Sequence, residues 1–368
     1  MKCIFTGGGT LGHTNPALAV AEKVREINSN TEILFVMREH GNENSAVAKR
    51  NFRIVEIPSY GLHRDRGLRD VTKTLTTAIS GISKCLNIIK SFQPDLIFGT
   101  GGYVSFAPLM AGLIKGIPTF VHESNHTPGL VTRLAVMLGA TPLINMPETA
   151  HLLKSRKKCS VVGMPVLSDF RNIPRSHAKE MLGIPKEKIL IISFGGSGGS
   201  ATMNEIIMSD MAKRATCGGG NIYHIHATGE KYFEGAKQTY HTLYRGAKGQ
   251  VIVPKIDDMG IHMCAADIII CRCGAATLAE ISTVGRAAIL IPSPNVTDNH
   301  QYKNGKRLAD KDAAVMIEEK DLTDDLLTKE ITALASSKEI RKRLEGNIFA
   351  LRKTDAAKAA AITLLNVQ

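Results

Sequence analysis

"IFTGGGTLGHTNPALAVAEKV", residues 4–24, decides how the chain is read. An apolar run of strand type meets a glycine cluster, then a histidine, then a helical pattern. Gly7, Gly9 and Gly12 fit the spacing G-x-G-x-x-G. Glycine admits positive φ and lets a ligand come close to the backbone. The helix that follows offers free N–H groups and the positive end of its dipole, a site for an anion. Alone, this spacing suits a dinucleotide, another phosphate-bearing ligand, or a tight strand-to-helix turn with no ligand.

The same alternation continues outward. "KCIF", "EILFVM", "RIVEIP", "DLIFGT", "TFVHE" and "TPLIN" read as strands with helical stretches between most of them. After residue 160 the pattern restarts with "ILIISFGGS", "NIYHIHATG", "QVIVP", "DIIICRCG", "AAILIP" and "AAVMI". Strands alternating with helices predict parallel sheets of βαβ units, and two series predict two doubly wound α/β domains. The boundary falls near "VVGMPVLSD", where Pro165 ends a strand. The expected domains are residues 1–162 and 163–349, with a C-terminal helix over about 350–368 able to pack back on the first.

Composition narrows the partner. The chain has 368 residues, 43% hydrophobic and 22% charged, an ordinary globular balance. A net charge of +12 favours an anionic partner: nucleic acid, anionic lipid or a phosphorylated ligand. Nucleic acid is not expected, because no recognised binding module accompanies the charge. Seven scattered cysteines, with Cys271 and Cys273 lacking a second pair at zinc spacing, suggest a reducing compartment. The glycine motif stands so early that no leader is expected. No run reaches the ~18 apolar residues that a span needs. The expectation is a cytosolic protein that meets a membrane only peripherally.

Three further loops repeat the opening pattern. "FGTGGYVSFAP", "SFGGSGGSATMNE" and "CRCGAATLAE" each follow a strand. All four loops then sit at carboxyl ends of parallel strands, where open α/β sheets bind ligands, and loops from both halves are expected to line one cleft. Arg38 and Glu39 after the second strand leave NAD or NADP open. A dehydrogenase needs one nucleotide loop, however. Two in the second half and a histidine inside the first fit a nucleotide-sugar transferase better.

"GGGTLGHTNPALAVA", "GTGGYVSFAPLMAGLIKGIPTFVHESN", "FGGSGGSATMNE", "CRCGAATLAEI" and "PNVTDNHQYKNGKRL" occur in order over about residues 1–310. This ordered set resembles the MurG family of bacterial transferases. That family adds N-acetylglucosamine from UDP-N-acetylglucosamine to undecaprenyl-pyrophosphoryl-N-acetylmuramyl-pentapeptide, turning lipid I into lipid II. The resemblance implies the GT-B architecture, two Rossmann-like domains facing across a cleft. It implies acceptor and membrane on the first domain, the UDP-sugar on the second, and a peripheral place on the cytoplasmic face of the cell membrane. No cofactor is implied.

The resemblance also carries residues. Glu280 would hold the ribose hydroxyls, and Ala275, Ala276 and Thr277 the sugar and phosphates at a helix start. Arg272 would counter phosphate charge. Ser197 would contact the diphosphate, although Ser200 is equally suited to cap the helix. The backbone at Ile256 would recognise uracil, and His300 with Gln301 would read the sugar hydroxyls. On the acceptor side stand Thr10, Gly12, His13, Tyr103, Glu123 and Asn125. Two positions depart from the family: Leu11 replaces a glycine, and Leu167 stands where an arginine is common, with Arg171 one turn on.

The implied chemistry is an inverting displacement, in which a base takes the acceptor hydroxyl proton. His13 is the first choice, because histidine titrates nearest neutral pH; helix capping or phosphate contact are its other readings. Glu123 is the second choice. Asp257 and Asp258 are adjacent rather than alternating, so helix-start N–H groups rather than a metal are expected to stabilise departing UDP. Leu75, Ile79, Ile82 and Leu86 lie on one helical face. With Arg64, Arg66, Arg69, Lys73 and Lys84 nearby, part of this helix is expected to meet anionic lipid and part to be core. Alternative readings are another GT-B glycolipid transferase, a nucleotide-sugar epimerase, an NAD(P)-dependent oxidoreductase, or a binding protein without activity.

Overall fold

Ile4 and Phe5 are 2% and 0% exposed, so β1 (Lys2–Thr6) is covered on both faces, as a strand inside a parallel sheet must be. This computed structural model describes residues 1–61, 68–170, 173–216, 220–243, 249–353 and 355–366. After β1 come α1 (Leu11–Ile27), β2 (Glu32–Arg38), α2 (Asn44–Ala48), β3 (Arg53–Ile57), α3 (Leu68–Phe92) and β4 (Leu96–Gly99). Then follow α4 (Phe106–Ile114), β5 (Thr119–Glu123), α5 (Leu130–Met137), β6 (Thr141–Ile144) and β7 (Ser160–Val161). Among the described residues these strands form one parallel sheet of order β3-β2-β1-β4-β5-β6-β7.

The second series opens with α6 (Arg175–Met181), β8 (Ile189–Phe194), α7 (Ala201–Thr216), β9 (Ile222–Ala227) and α8 (Glu230–Leu243). It continues with β10 (Gln250–Val253), α9 (Met259–Ala265), β11 (Ile268–Cys271), α10 (Ala275–Val284) and β12 (Ala287–Leu290). The chain then runs through α11 (His300–Ala309), β13 (Val315–Met316), α12 (Asp324–Ser336), α13 (Lys338–Ala350) and α14 (Ala356–Leu365). The second sheet, also parallel among the described residues, has the order β10-β9-β8-β11-β12-β13. Both sheets are doubly wound. In each, the chain leaves the first strand to one side and returns on the other, so crevices open at β1/β4 and at β8/β11.

The chain divides into Met1–Leu167 with Lys353–Gln368, and Ser168–Arg352. The first unit thus ends at Leu167 rather than at residue 162. Pro165 stops the strand but not the unit: the buried His122 on β5 donates from Nε2 to the carbonyl of Gly163 at 2.9 Å, tying the following segment to the first sheet. The return segment comes close here too. Gly163 has φ +87, and an added Cβ would lie 2.8 Å from Lys353 Cβ. Beyond it, α14 packs on α1, burying Ala360, Ala361 and Leu364.

The apolar stripe of α3 divides along its length. Cys85, Ile89 and Phe92 are buried, and Ile82 and Leu86 pack against that core. Leu75 and Ile79 are each 61% exposed. Of the basic residues expected near them, Arg64 and Arg66 lie outside the described residues, as do the side chains of Arg69 and Lys73. Lys84 pairs with Glu39 at 3.1 Å. Among the described residues no helix is long and apolar enough to cross a membrane.

Candidate active site

The expected residues divide between the two units, most of them on loops and helix starts that follow the parallel strands. In the first, Thr10 is extended (φ −156, ψ 158) and starts α1, and its own side chain makes no capping hydrogen bond. His13 sits in its first turn, with Nδ1 2.9 Å from the carbonyl oxygen of Thr100 at the end of β4. A carbonyl only accepts, so Nδ1 carries the proton and Nε2 is the accepting atom of the neutral ring. The Thr100 hydroxyl donates back to the His13 carbonyl at 2.6 Å. The glycines make this clasp fit. A Cβ on Gly7 would fall 2.0 Å from Thr100 Oγ1, and one on Gly102 3.0 Å from His13 Cδ2. Thr100 was not among the expected residues, although it sits inside "FGTGG".

Glu43 was also not expected. It is 4% exposed and accepts the N–H of Gly9 at 2.6 Å, while Arg38 donates to it at 3.1 Å. Burial pushes its carboxyl up. The Gly9 N–H, its own N–H and Arg38 together outweigh that and hold it below the usual carboxylate range. Tyr103 packs its ring on the same loop, where a Cβ on Gly9 would be 2.7 Å from Cε1. Gly12 is exposed. Leu11 is 40% exposed, so the leucine lies at the surface of the helix start.

Glu123 has a different surrounding. It is 5% exposed, and its Oε1 accepts from the Asn125 N–H at 3.0 Å and from Asn125 Nδ2 at 3.4 Å. Its Oε2 accepts from the Gly129 N–H at 3.0 Å. The carboxylate therefore closes the loop between β5 and α5, with both of its oxygens hydrogen-bonded there. Asn125 is held in turn by Thr149, whose hydroxyl donates to its carbonyl at 3.3 Å.

In the second unit the loop after β8 bends through Gly196 and Gly199, both at positive φ. Ser200 caps α7, its Oγ accepting from the Met203 N–H at 3.4 Å. Ser197 is exposed on the loop. Arg272, expected at phosphate, donates to Ser200 Oγ at 2.7 Å, to the Ile291 and Pro292 carbonyls at 3.3 and 3.2 Å, and pairs with Glu319. Its guanidinium is engaged by protein groups and ties three loops together. Leu167 is 8% exposed, in the first unit; Arg171 lies outside the described residues.

Gly274 is the N-cap of α10, so the residue before Ala275, Ala276 and Thr277 brings no capping side chain. The first-turn N–H groups of a helix have no partner within the helix itself, and such a terminus suits an anion. Glu280, on the same helix, is 8% exposed. Cys271 and Cys273 flank this loop, and burial pushes the Cys273 thiol up to about 12, keeping it protonated at neutral pH. Asp298 and Asn299, both left-handed, turn the chain into α11, which starts with His300 and Gln301. Gln301 Oε1 accepts the N–H groups of Cys273 at 3.2 Å and Ser293 at 3.0 Å. Those two N–H donors fix the amide's orientation and leave Nε2 as its hydrogen-bonding atom toward a ligand. Ile256 is half-buried after β10, while Asp257 and Asp258 are exposed, Asp257 lying 3.7 Å from Lys255. Among the described residues, no cluster of three or more His, Cys, Asp or Glu converges as metal ligands.

Residues 3–139 match the glycosyltransferase family 28 N-terminal domain, and residues 190–360 the C-terminal domain of the same family. A protein of Acetivibrio thermocellus is 36% identical over 356 residues, covering 97% of this chain and 95% of its own length. It is named UDP-N-acetylglucosamine–N-acetylmuramyl-(pentapeptide) pyrophosphoryl-undecaprenol N-acetylglucosamine transferase. Among solved structures, MurG of Acinetobacter baumannii shares the fold with a TM-score of 0.72 at 24% identity, covering 100% of this chain and 99% of that one. A UDP-GlcNAc 2-epimerase of Neisseria meningitidis, bound to UDP-GlcNAc, follows at 0.69 and 13% identity, with 100% of each chain covered. Fold alone therefore admits a transferase and an epimerase; the sequence identity separates them.

Proposed function

This chain belongs to the family of UDP-N-acetylglucosamine–N-acetylmuramyl-(pentapeptide) pyrophosphoryl-undecaprenol N-acetylglucosamine transferases, and we propose that it catalyses that transfer with the groups described above. The 36% identity across 97% of the chain carries this reading.

In the proposed reaction the muramyl 4-hydroxyl oxygen attacks the anomeric carbon of UDP-N-acetylglucosamine. The bond to the UDP oxygen breaks, its electron pair leaves with UDP, and the configuration inverts. His13 Nε2 takes the hydroxyl proton; the Thr100 clasp supports this by committing Nδ1. Glu123 then serves to shape the acceptor-side loop with Asn125, since its oxygens are already engaged. First-turn N–H groups of α7 and α10, with Ser197, receive the diphosphate. Glu280 takes the ribose, the backbone at Ile256 the uracil, and His300 with the Gln301 Nε2 group the sugar hydroxyls. Arg272 acts through Ser200 rather than on phosphate directly. Thr10, Gly12 and Tyr103 shape the acceptor loop.

A lipid-linked acceptor calls for docking on the cytoplasmic face of the cell membrane. The exposed Leu75 and Ile79 on α3, beside a chain of net charge +12, support an anionic lipid surface as the partner.

The test is transfer of labelled N-acetylglucosamine from UDP to a lipid I analogue. His13→Ala is expected to lower kcat by about 10²–10⁴-fold with little change in donor KM. Wild-type protein that transfers nothing, or that releases a 2-epimerised sugar instead, overturns the reading. An active enzyme whose His13→Ala variant keeps full kcat removes the base assignment alone.

A further inference from the structure

Behind the β8 loop the second unit buries a run of polar side chains that the proposed chemistry does not use. Ser193 on β8 lies between His224 and His226 on β9, and all three are 0% exposed. Ser193 Oγ is 2.7 Å from His224 Nε2 and 2.8 Å from His226 Nδ1. Arg214 Nη2, on α7, is 2.8 Å from His224 Nδ1, and His226 Nε2 is 3.1 Å from Asn204 Oδ1, also on α7.

The direction of every link follows from the guanidinium, which has only protons to give. His224 Nδ1 therefore accepts, and its Nε2 holds the ring proton and donates to Ser193 Oγ. The serine hydroxyl donates to His226 Nδ1. His226 Nε2–H then donates to Asn204 Oδ1. Asn204 has Nδ2 left, which donates to the Thr228 carbonyl at 3.0 Å. Reversing the link at His226 would leave its Nε2 as an acceptor facing Asn204 Oδ1 or, with that amide turned over, Asn204 Oδ1 facing the Thr228 carbonyl; either sets two acceptors against each other, and a buried mismatch of that kind is costly.

The far end of this chain is the seat of the glycine loop. An added Cβ on Gly199 would fall 2.2 Å from Thr228 O and 3.1 Å from Gly229 Cα. The loop that carries Ser197 thus rests directly on the carbonyl that Asn204 orients. We propose that the chain Arg214–His224–Ser193–His226–Asn204 is a set of positioning residues for the diphosphate-binding loop, holding the Thr228 carbonyl where Gly199 packs on it. This rests on the proposed diphosphate role of that loop.

The test uses the full chain, with UDP and uridine as probes in calorimetric titrations. Asn204→Asp keeps the size and the acceptor for His226 but removes the donor to Thr228. It is expected to weaken UDP about tenfold, the loss of roughly one hydrogen bond's worth of placement, with uridine affinity unchanged. Ser193→Ala is expected to act in the same direction, and serves if the aspartate variant does not fold. ¹⁵N spectra of the wild-type histidines are expected to show both rings as neutral Nε2–H tautomers. Parallel loss of UDP and uridine affinity, no loss in either variant, or an Nδ1–H tautomer in either ring overturns the proposal. Gly199→Ala separates the two readings. If the wild type does not bind UDP, or if Gly199→Ala leaves UDP affinity intact, the loop's diphosphate role fails. If Gly199→Ala weakens UDP while the Asn204 and Ser193 variants do not, only the positioning chain fails.

Discussion

At the first glycine loop a carboxylate of the chain itself takes an N–H that a phosphate would otherwise find. Glu43 reaches Gly9 from thirty-four residues away, and Arg38 balances its charge. Such a contact stiffens the loop and occupies one of its amides. Glu43→Ala leaves the Gly9 N–H and Arg38 without that partner. Urea unfolding at pH 7 is expected to show a loss of about 1–3 kcal/mol, with a raised acceptor KM. Because the folded carboxyl titrates below its unfolded value, the contribution is present above about pH 4.3 and is lost as pH falls through the folded pKa. Wild type and variant are then expected to converge in acid. Glu43 and Thr100 were invisible in the sequence because each meets its partner across the sheet. His13 was legible because it lies inside its own loop.

At the scale of elements, α3 shows how far a periodic pattern reaches. The spacing of Leu75, Ile79, Ile82 and Leu86 fixes one apolar face but not what covers it. The structure gives its C-terminal half to the core and leaves the N-terminal half open. Leu86→Ala is expected to destabilise the fold by about 2–4 kcal/mol. Leu75→Asp with Ile79→Asp is expected to change stability by less than about 0.5 kcal/mol per site and to weaken binding to anionic vesicles in a sedimentation assay. Equal stability losses in both sets would remove the division. The paired strands β8 and β9 carry a second expectation. Burial pushes His226 down to about 4 and His224 well below its ordinary value. The unfolded rings titrate near pH 6.5, so the stability tied to neutral histidine is complete above about 6.5 and is lost as pH falls toward 4. Urea midpoints are expected to drop between pH 7 and 5, and His226→Gln to flatten that slope.

For the whole molecule, the chain's return to its first unit has a direct consequence. Because α14 buries Ala360, Ala361 and Leu364 against α1, a chain cut after residue 352 is expected to expose that face of α1 and lose solubility. Supplying residues 353–368 as a peptide is expected to raise its melting temperature. A truncated chain as stable as the full one would show that α14 contributes nothing. The sequence by itself determined the two parallel α/β series, because short apolar runs ended by glycine leave little but a buried strand and a tight turn. It also determined the family, through motifs whose order no short segment supplies. Only the tertiary structure decided which nitrogen of His13 meets the Thr100 carbonyl, that Arg272 and Glu123 are engaged by protein groups, and that Glu43 holds Gly9. The physical reason is that a side chain's role depends on which hydrogen-bonding groups surround it, and those arrive from strands far apart in the chain.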